Sequence, residues 1–172
     1  MAFDAYLKLD TFHGESTSLG FKGWMEIFNF SLGVTNPVTI GSASTGAGGG
    51  RCVLQPFSFT KKTDCASPGL FLASASGAHI ATGTVQLRKA GGGFVGAEGK
   101  VTPVAYLTYF LNVIFIESVS WSGSSGGDDS PEEHVVARFG ALTIEYQAQG
   151  DDGKPVGGAV CASWNVQTNA MA

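Results

Sequence analysis

The stretch "SFTKKTDCASPGLFLASASGAH", residues 58–79, is where the chain passes from a strand pattern to a helix pattern. The preceding strand is predicted over residues 52–61, with an edge or a bulge at Pro56 because proline cannot donate to a ladder. Ser67 is a favourable N-cap residue, Pro68 fits the first helical position, and Gly77 fits the position that ends a helix. These signals predict a short helix at about residues 66–76.

The same stretch also contains side chains that are common in catalysis. A hydrolase built on Cys65 or Ser67 would need its nucleophile on a constrained turn beside a base such as His79. This stretch has no G-x-S-x-G elbow, and Asp64 and Ser67 suit turn and capping roles. We therefore predict that the protein is not an enzyme, and a Cys65 or Ser67 hydrolase is the least favoured alternative.

Alternation with a period of two dominates the rest of the chain and favours β-strands. Apolar and polar residues alternate over residues 3–10. In residues 24–32, Met25, Ile27, Asn29 and Ser31 are expected to share one face. Further strands are predicted at residues 80–90, 104–121, 134–149 and 159–167. The pattern predicts a mainly β fold, an antiparallel barrel or two-sheet body with one helix at its side, as a single domain over residues 1–172.

Residues 33–51 form a long segment dense in Gly, Ser and Thr. A structureless segment of this length inside a compact domain is usually a functional or interaction loop. It lacks the G-K-[ST] ending of a phosphate-binding loop and leads into a strand, so no helix N-terminus is available to hold an anion. We predict a protruding loop.

Composition and charge exclude several classes of function. The net charge is −4, and the ten basic residues are scattered, which argues against binding nucleic acid or anionic membranes. No stretch is long and apolar enough for a membrane-spanning helix, and no signal peptide is visible. The three cysteines, Cys52, Cys65 and Cys161, show no paired spacing and are expected to be free thiols of a protein made in a reducing cytoplasm.

No metal or cofactor site is predicted. The acidic residues Asp128, Asp129, Glu132 and Glu133 with His134 lack the spacing of a calcium loop, so a solvated turn is favoured. His13 and His79 have no partner at metal-ligand spacing.

The order of several motifs resembles the Hcp family, the haemolysin-coregulated, tail-tube-like proteins of bacterial type VI secretion. The motifs are "GES" at 14–16, "SFTK" at 58–61 followed by Asp64, "SP" at 67–68 and "SG.H" at 76–79, "LRKAGG" at 87–92, "ESVSWSGSSGGDD" at 117–129, "EYQAQGDDG" at 145–153 and "WNVQTN" at 164–169. Together they cover nearly the whole chain.

The resemblance implies a non-enzymatic, structural protein without cofactors. It implies that six copies form a ring, that rings stack into the inner tube of a contractile machine, and that sheath contraction expels this tube. The expected partners are other copies of the chain, the sheath and spike proteins, and effectors held in the lumen. The protein would be assembled in the bacterial cytoplasm and leave through its own machine.

The resemblance also implies roles for particular residues. Asn29 and Ser31 are expected to face the lumen and its effectors. The loop over residues 33–51 is expected to contact neighbouring subunits or rings through Thr45, Gly46, Gly48, Gly49 and Gly50. The alternative from a different class is a stand-alone β-barrel that binds a small ligand, with the glycine-rich loop as its lid.

Overall fold

The computed structural model describes residues 3–39, 48–89, 93–95, 101–126 and 130–171. Its strands are mostly antiparallel, and one short helix lies among them, which confirms the predicted fold class. The elements are β1 (Phe3–Leu9), β2 (Met25–Ile27), β3 (Asn29–Ser31), β4 (Val34–Thr35), β5 (Val38–Thr39), β6 (Gly48–Gly49), β7 (Val53–Leu54), β8 (Phe57–Lys62), α1 (Ser67–Ser76), β9 (His79–Lys89), β10 (Phe94–Val95), β11 (Val101–Thr102), β12 (Ala105–Ser122), β13 (Glu132–Tyr146) and β14 (Val160–Asn165).

The main sheet closes on itself into a barrel-like body. Its strand order is β2-β1-β9-β12-β13-β8-β3, and β14 pairs with the second half of β13. β2 and β3 lie at the two ends of this order yet are separated in the chain by Phe28 alone. The Phe28 N–H donates to the Thr60 carbonyl at 2.9 Å, so one short segment joins both edges of the sheet.

The predicted faces of residues 24–32 are wrong beyond Phe28. Met25 and Ile27 are buried, but Asn29 and Ser31 are exposed, while Phe30 packs against the core. The side chains that face inward therefore shift by one position where the chain stops pairing with β1 and begins to pair with β8. A period-two pattern cannot anticipate this shift because it assumes one continuous strand.

The barrel interior is filled by side chains. Leu7, Met25, Phe57, Phe59 and Ile114 are each no more than 1% exposed. The Phe57 and Phe59 rings stack at 5.2 Å, and Phe30 packs at the rim of the same cluster. Burial of these large apolar groups supplies the main stabilisation of the body.

The helix α1 begins at Ser67, one residue before the predicted first helical residue, Pro68, so the prediction of Ser67 as the N-cap is wrong. Ala66 is the N-cap residue, in a helical conformation and without a side-chain capping hydrogen bond. Pro68 lies in the first turn, and Gly77 follows Ser76 with φ of 67°, the left-handed geometry that glycine adopts most easily. Among the residues described, no helix is long and apolar enough to cross a membrane.

Part of the predicted loop is a two-stranded ribbon, which we call the arm (residues 33–39 and 48–54). Val34 pairs with Leu54, and Val38 pairs with Gly49. Gly48 and Gly49 form β6, and the Gly50 N–H donates to the Pro37 carbonyl at 2.7 Å. Thr45 and Gly46 lie outside the described residues.

Candidate functional site

The polar stretch that opens the helix is organised around a buried lysine. Lys61 is fully buried, and its Nζ lies 2.7 Å from Asp64 Oδ1 and 3.0 Å from Glu133 Oε2. It also donates to Ser67 Oγ at 3.1 Å and to the Lys62 carbonyl at 3.0 Å. These contacts join β8, β13 and the start of α1, so the ammonium group is a structural link and is shielded from solvent.

Glu133 completes this link from the opposite strand. Trp121 Nε1 donates to Glu133 Oε1 at 2.7 Å, and the carboxylate is fully buried. Burial raises the pKa of Glu133, but hydrogen bonds from Ser67, Lys61 and Trp121, together with the Lys61 charge, bring it below its usual value. Glu133 therefore stays ionised as the partner of Lys61, and its prediction as part of a solvated acidic turn is wrong.

The rest of the predicted acidic cluster does not form a metal site among the described residues. His134 follows Glu133 on β13 with its side chain on the outer face, and Glu132 is exposed. No group of three or more His, Cys, Asp or Glu suited to a metal ion occurs in the described part of the chain. Asp128 and Asp129 lie outside the described residues.

Cys65 is a poor nucleophile. Its thiol donates to the His13 carbonyl at 3.0 Å, and its N–H donates to Glu15 Oε1 at 3.1 Å. Desolvation and then the charges of Asp64 and Glu15 raise the pKa of the Cys65 thiol. Because the thiolate is the reactive form, these neighbours disfavour nucleophilic attack by Cys65 at neutral pH.

His79, the base that a hydrolase would have used, lies beside an aromatic ring. The His79 imidazole and the Phe115 ring are 6.0 Å apart at the start of β9, where the two residues are paired across strands. Cys65 instead contacts the segment that contains His13 and Glu15. The structure shows no pairing of Cys65 with His79 among the contacts of the described residues.

Asn29 and Ser31 belong to a polar patch on the outside of the barrel, which we call the hydroxyl face. Asn29 is paired with Thr60 and Thr60 with His134, while Ser31 is paired with Ser58. Directly paired residues project to the same side of a sheet, so these side chains form continuous rows across four strands. One row contains Asn29, Thr60, His134 and Ser120, and the other contains Ser31, Ser58, Val136 and Ser118, so Val136 is the apolar member of the face.

Sequence reasoning predicted only the first two members of the hydroxyl face. The other members became visible through strand register, since Ser58 and Thr60 alternate with buried Phe57 and Phe59. That alternation is visible in the sequence and could have identified Ser58 and Thr60. The pairing of β8 with both β3 and β13 is not visible in the sequence.

The arm is the second predicted contact surface. Its middle is held to the body because Arg51, between the two pairs of short strands, donates to the Val166 carbonyl at 2.8 Å. At the base of the arm, Gln55, the residue that follows the ribbon, donates through Nε2 to Thr35 Oγ1 at 3.2 Å. Val34, Val38 and Val53 of the arm are 61%, 59% and 49% exposed, so this ribbon carries apolar groups into solvent.

Comparison with known proteins identifies the family. Residues 6–146 match the family of the type VI secretion system effector Hcp. The curated protein hcp1 of Pseudomonas aeruginosa is 37% identical over 119 residues, which is 69% of this chain and 68% of that protein. A solved type six secretion system protein is 31% identical with a TM-score of 0.88, and the match covers 99% of this chain and 100% of the other.

A second solved structure supports the same assignment. Hcp1 from Salmonella typhimurium is 28% identical with a TM-score of 0.78, and the match covers both chains completely. The family match spans most of the barrel, including β8, α1 and the buried Lys61–Glu133 pair. The chain therefore belongs to the Hcp family of type VI secretion system proteins.

Proposed function

We propose that this protein is a structural, non-enzymatic protomer of a type VI secretion inner tube. Six copies form a ring, rings stack into a tube, and contraction of a surrounding sheath expels it together with a spike. The observation that carries the proposal is the Hcp family match over residues 6–146. The filled barrel interior and the deactivated Cys65 thiol support a scaffold role over ligand binding or hydrolysis.

The chain also has the kind of surface that self-association needs. Apolar side chains are exposed on the arm and, separately, where β13 ends at Tyr146 and β14 begins at Val160. Two unlike surfaces on one chain can associate head to tail, and such an interface closes into a ring when its rotation fits.

The hydroxyl face is the surface that we assign to the lumen. It is mostly polar, with Val136 as its apolar member, so a passing or stored effector would meet mainly hydrogen-bonding groups. Effectors retained there would travel with the tube, from the bacterial cytoplasm to the outside or into a target cell.

The assembly is tested by measuring mass and shape. Purified protein should sediment as a species of six chains and show rings by negative-stain electron microscopy. A chain that stays monomeric at high concentration and shows no rings would contradict the tube proposal.

The position of the hydroxyl face is tested by thiol labelling of assembled rings. In a background with Cys52, Cys65 and Cys161 changed to serine, Ser31→Cys should react with N-ethylmaleimide but slowly with a maleimide carried on a large polymer. Leu72→Cys, on the exposed side of α1, is the control and should react with both reagents. Equal reaction of Ser31→Cys with the two reagents would place this face outside the lumen.

A further inference from the structure

His134 lies in the middle of the hydroxyl face. Its neighbours across the strands are Thr60 on β8 and Ser120 on β12. Its side chain points outward and is exposed, because Glu133 and Val135 on either side of it point inward and are fully buried. The main-chain carbonyl of His134 accepts a hydrogen bond from Ser120 Oγ at 3.4 Å, and the imidazole is open to solvent. A ligand on this face can therefore reach the imidazole.

The side chains around His134 in the two rows of the hydroxyl face carry no charge. They are Asn29, Thr60 and Ser120 in its own row and Ser31, Ser58, Val136 and Ser118 in the next. Hydroxyl and amide groups form hydrogen bonds with ligands of either charge and do not titrate near neutral pH. Within these two rows, His134 is therefore the one side chain whose charge changes in this pH range.

Charged side chains lie at the two ends of the hydroxyl face, in pairs of opposite sign. At one end, Lys62 is paired across the strands with Glu132. At the other end, Arg138 Nε lies 2.8 Å from Glu117 Oε2. Each of these pairs contains one cation and one anion, so together they add no net charge to the face.

Further titratable groups lie beyond these pairs. The pocket at the Lys62 end is also lined by three acidic residues, Glu15, Glu26 and Asp64. Past the other end, His79 is paired with Phe115, and Phe115 is paired with Arg138, so His79 lies at the margin of the face. At neutral pH the surroundings of His134 are therefore balanced or acidic, and the described residues give this face no surplus of positive charge.

A proton on the imidazole changes this balance. Imidazole ordinarily gains its proton as the pH falls through about 6.5, whereas carboxyl groups ordinarily do so only below about pH 5. Between these values, His134 adds a positive charge at the centre of the face while its acidic neighbours keep theirs. In the proposed ring, rotation about the ring axis places the copies of His134 at one level, so the charge is repeated around the lumen.

We propose that His134 makes the hydroxyl face a pH-dependent binding surface for acidic segments of effector proteins. The proposal rests on the assignment of this face to the lumen, and it adds the charge of the cargo and the condition that retains it. A protonated imidazole donates hydrogen bonds to a carboxylate, and the hydroxyl groups of Thr60 and Ser120 on either side can donate to the same group. Acidic segments therefore bind more tightly as the pH falls, and basic segments bind more weakly.

The test measures peptide binding to assembled rings at two pH values. The probes are rhodamine-labelled peptides of about ten aspartates or about ten lysines, which stay charged at both about pH 7.5 and about pH 5.5. Fluorescence anisotropy gives their affinity at low salt. For the parent protein, the aspartate peptide should bind at least about fivefold more tightly at the lower pH, because charge-assisted hydrogen bonds replace neutral ones. The lysine peptide should show the opposite change.

Three variants identify the residue responsible. His134→Gln keeps a polar side chain without a titrating group and should bind the aspartate peptide equally at both pH values. His134→Lys is charged throughout this range and should bind it tightly at both. His13→Gln is the matched control, because His13 is exposed but lies in the segment that Cys65 contacts, outside the hydroxyl face. It should keep the pH response of the parent.

Several outcomes would overturn the proposal while the tube proposal stands. Rings of the parent could bind the aspartate peptide equally at both pH values, or His134→Gln could keep the full response. A response that disappears in His79→Gln alone would assign it to the margin of the face. Rings that dissociate at about pH 5.5 would also overturn it, since retention needs an intact lumen.

Sedimentation at both pH values, carried out first, separates these results from a failure of the tube proposal. Parent protein that forms no rings at either pH would contradict the tube proposal itself. If His134→Gln does not assemble, His134→Asn replaces it and should likewise lose the pH response.

Discussion

Lys61 Nζ lies 3.0 Å from Glu133 Oε2, and neither side chain reaches solvent. The two residues are 72 positions apart in the sequence and are brought together because Lys61 is paired with Glu133 across β8 and β13. Two opposite charges in a protein interior are tolerated when each has further hydrogen bonds, and here Asp64, Ser67 and Trp121 provide them.

Removing the lysine should destabilise the protein strongly. Lys61→Met leaves the Glu133 carboxylate buried without its cation, and we expect the free energy of unfolding to fall by about 3–5 kcal/mol. The measurement is urea unfolding followed by circular dichroism. The double variant Lys61→Met with Glu133→Gln should recover part of the loss, because no uncompensated charge stays buried.

An exposed ion pair is the matched control for this prediction. Arg138 Nε lies 2.8 Å from Glu117 Oε2 on the surface, where both side chains are exposed. Exposed pairs contribute about 0–1 kcal/mol, so Arg138→Met should change unfolding little. A loss at Lys61 no larger than that at Arg138 would contradict the structural role of the buried pair.

The buried Lys61–Glu133 pair should make the free energy of unfolding depend on pH in the acid range. Glu133 has a pKa below its ordinary value of 4.5 in the folded protein, so its contribution to stability is fully present above the unfolded-state pKa. That contribution is lost as the pH falls through the folded-state pKa, below 4.5. Unfolding free energies measured by urea between about pH 2 and pH 7 should therefore fall more steeply in the parent protein than in Glu133→Gln. Equal slopes for the two proteins in the acid range would disprove this prediction.

The end of the helix offers a purely conformational test. Gly77 has φ of 67° and no atom within 4 Å of the position that a Cβ would take. Gly77→Ala should therefore cost about 1 kcal/mol through backbone strain alone, without a steric clash. Gly158→Ala is the control, because that site is equally open and its φ lies outside the left-handed region. The thermal midpoint of Gly77→Ala should be lower than that of Gly158→Ala, and equal midpoints would argue against strain at the helix end.

Local sequence signals predicted the strands and the helix well. Contacts that depend on the pairing of distant strands could not be predicted from them. Alternation identified β1, and the Pro68 and Gly77 signals located α1 to within about one residue, because these features depend on neighbours in the chain. Lys61 looked like an ordinary strand end, since the Glu133 that neutralises it belongs to a distant strand.

The candidate surfaces show the same limit. Asn29 and Ser31 were selected through a family resemblance, and no local pattern showed that they would share a face with Thr60 and His134. The change of face at Phe28 is a consequence of barrel closure, which depends on both edges of the sheet at once.

The buried positions change parity between Ile114 and Leu111 on β12, and this change of parity has a local backbone signature at Val113. Val113 lies within β12 with φ of 55°, a left-handed conformation that is unfavourable for a β-branched residue. The Cβ that Gly140 lacks would lie 3.3 Å from the Val113 Cβ, so glycine on the facing strand leaves room for the turned backbone. The energy of this strain is about 1–2 kcal/mol for an L-residue.

Relieving this strain should compensate for the loss of a side chain. Val113→Gly removes the left-handed penalty while losing about 0.5–1 kcal/mol of strand preference, so its unfolding free energy should equal or exceed that of the parent. Val136→Gly, on β13, has no left-handed backbone to relieve and should lose about 1 kcal/mol. Urea unfolding of the two variants beside the parent provides the measurement. Equal destabilisation by Val113→Gly and Val136→Gly would show that Val113 is not strained. The change of parity would then arise at other residues of the two strands.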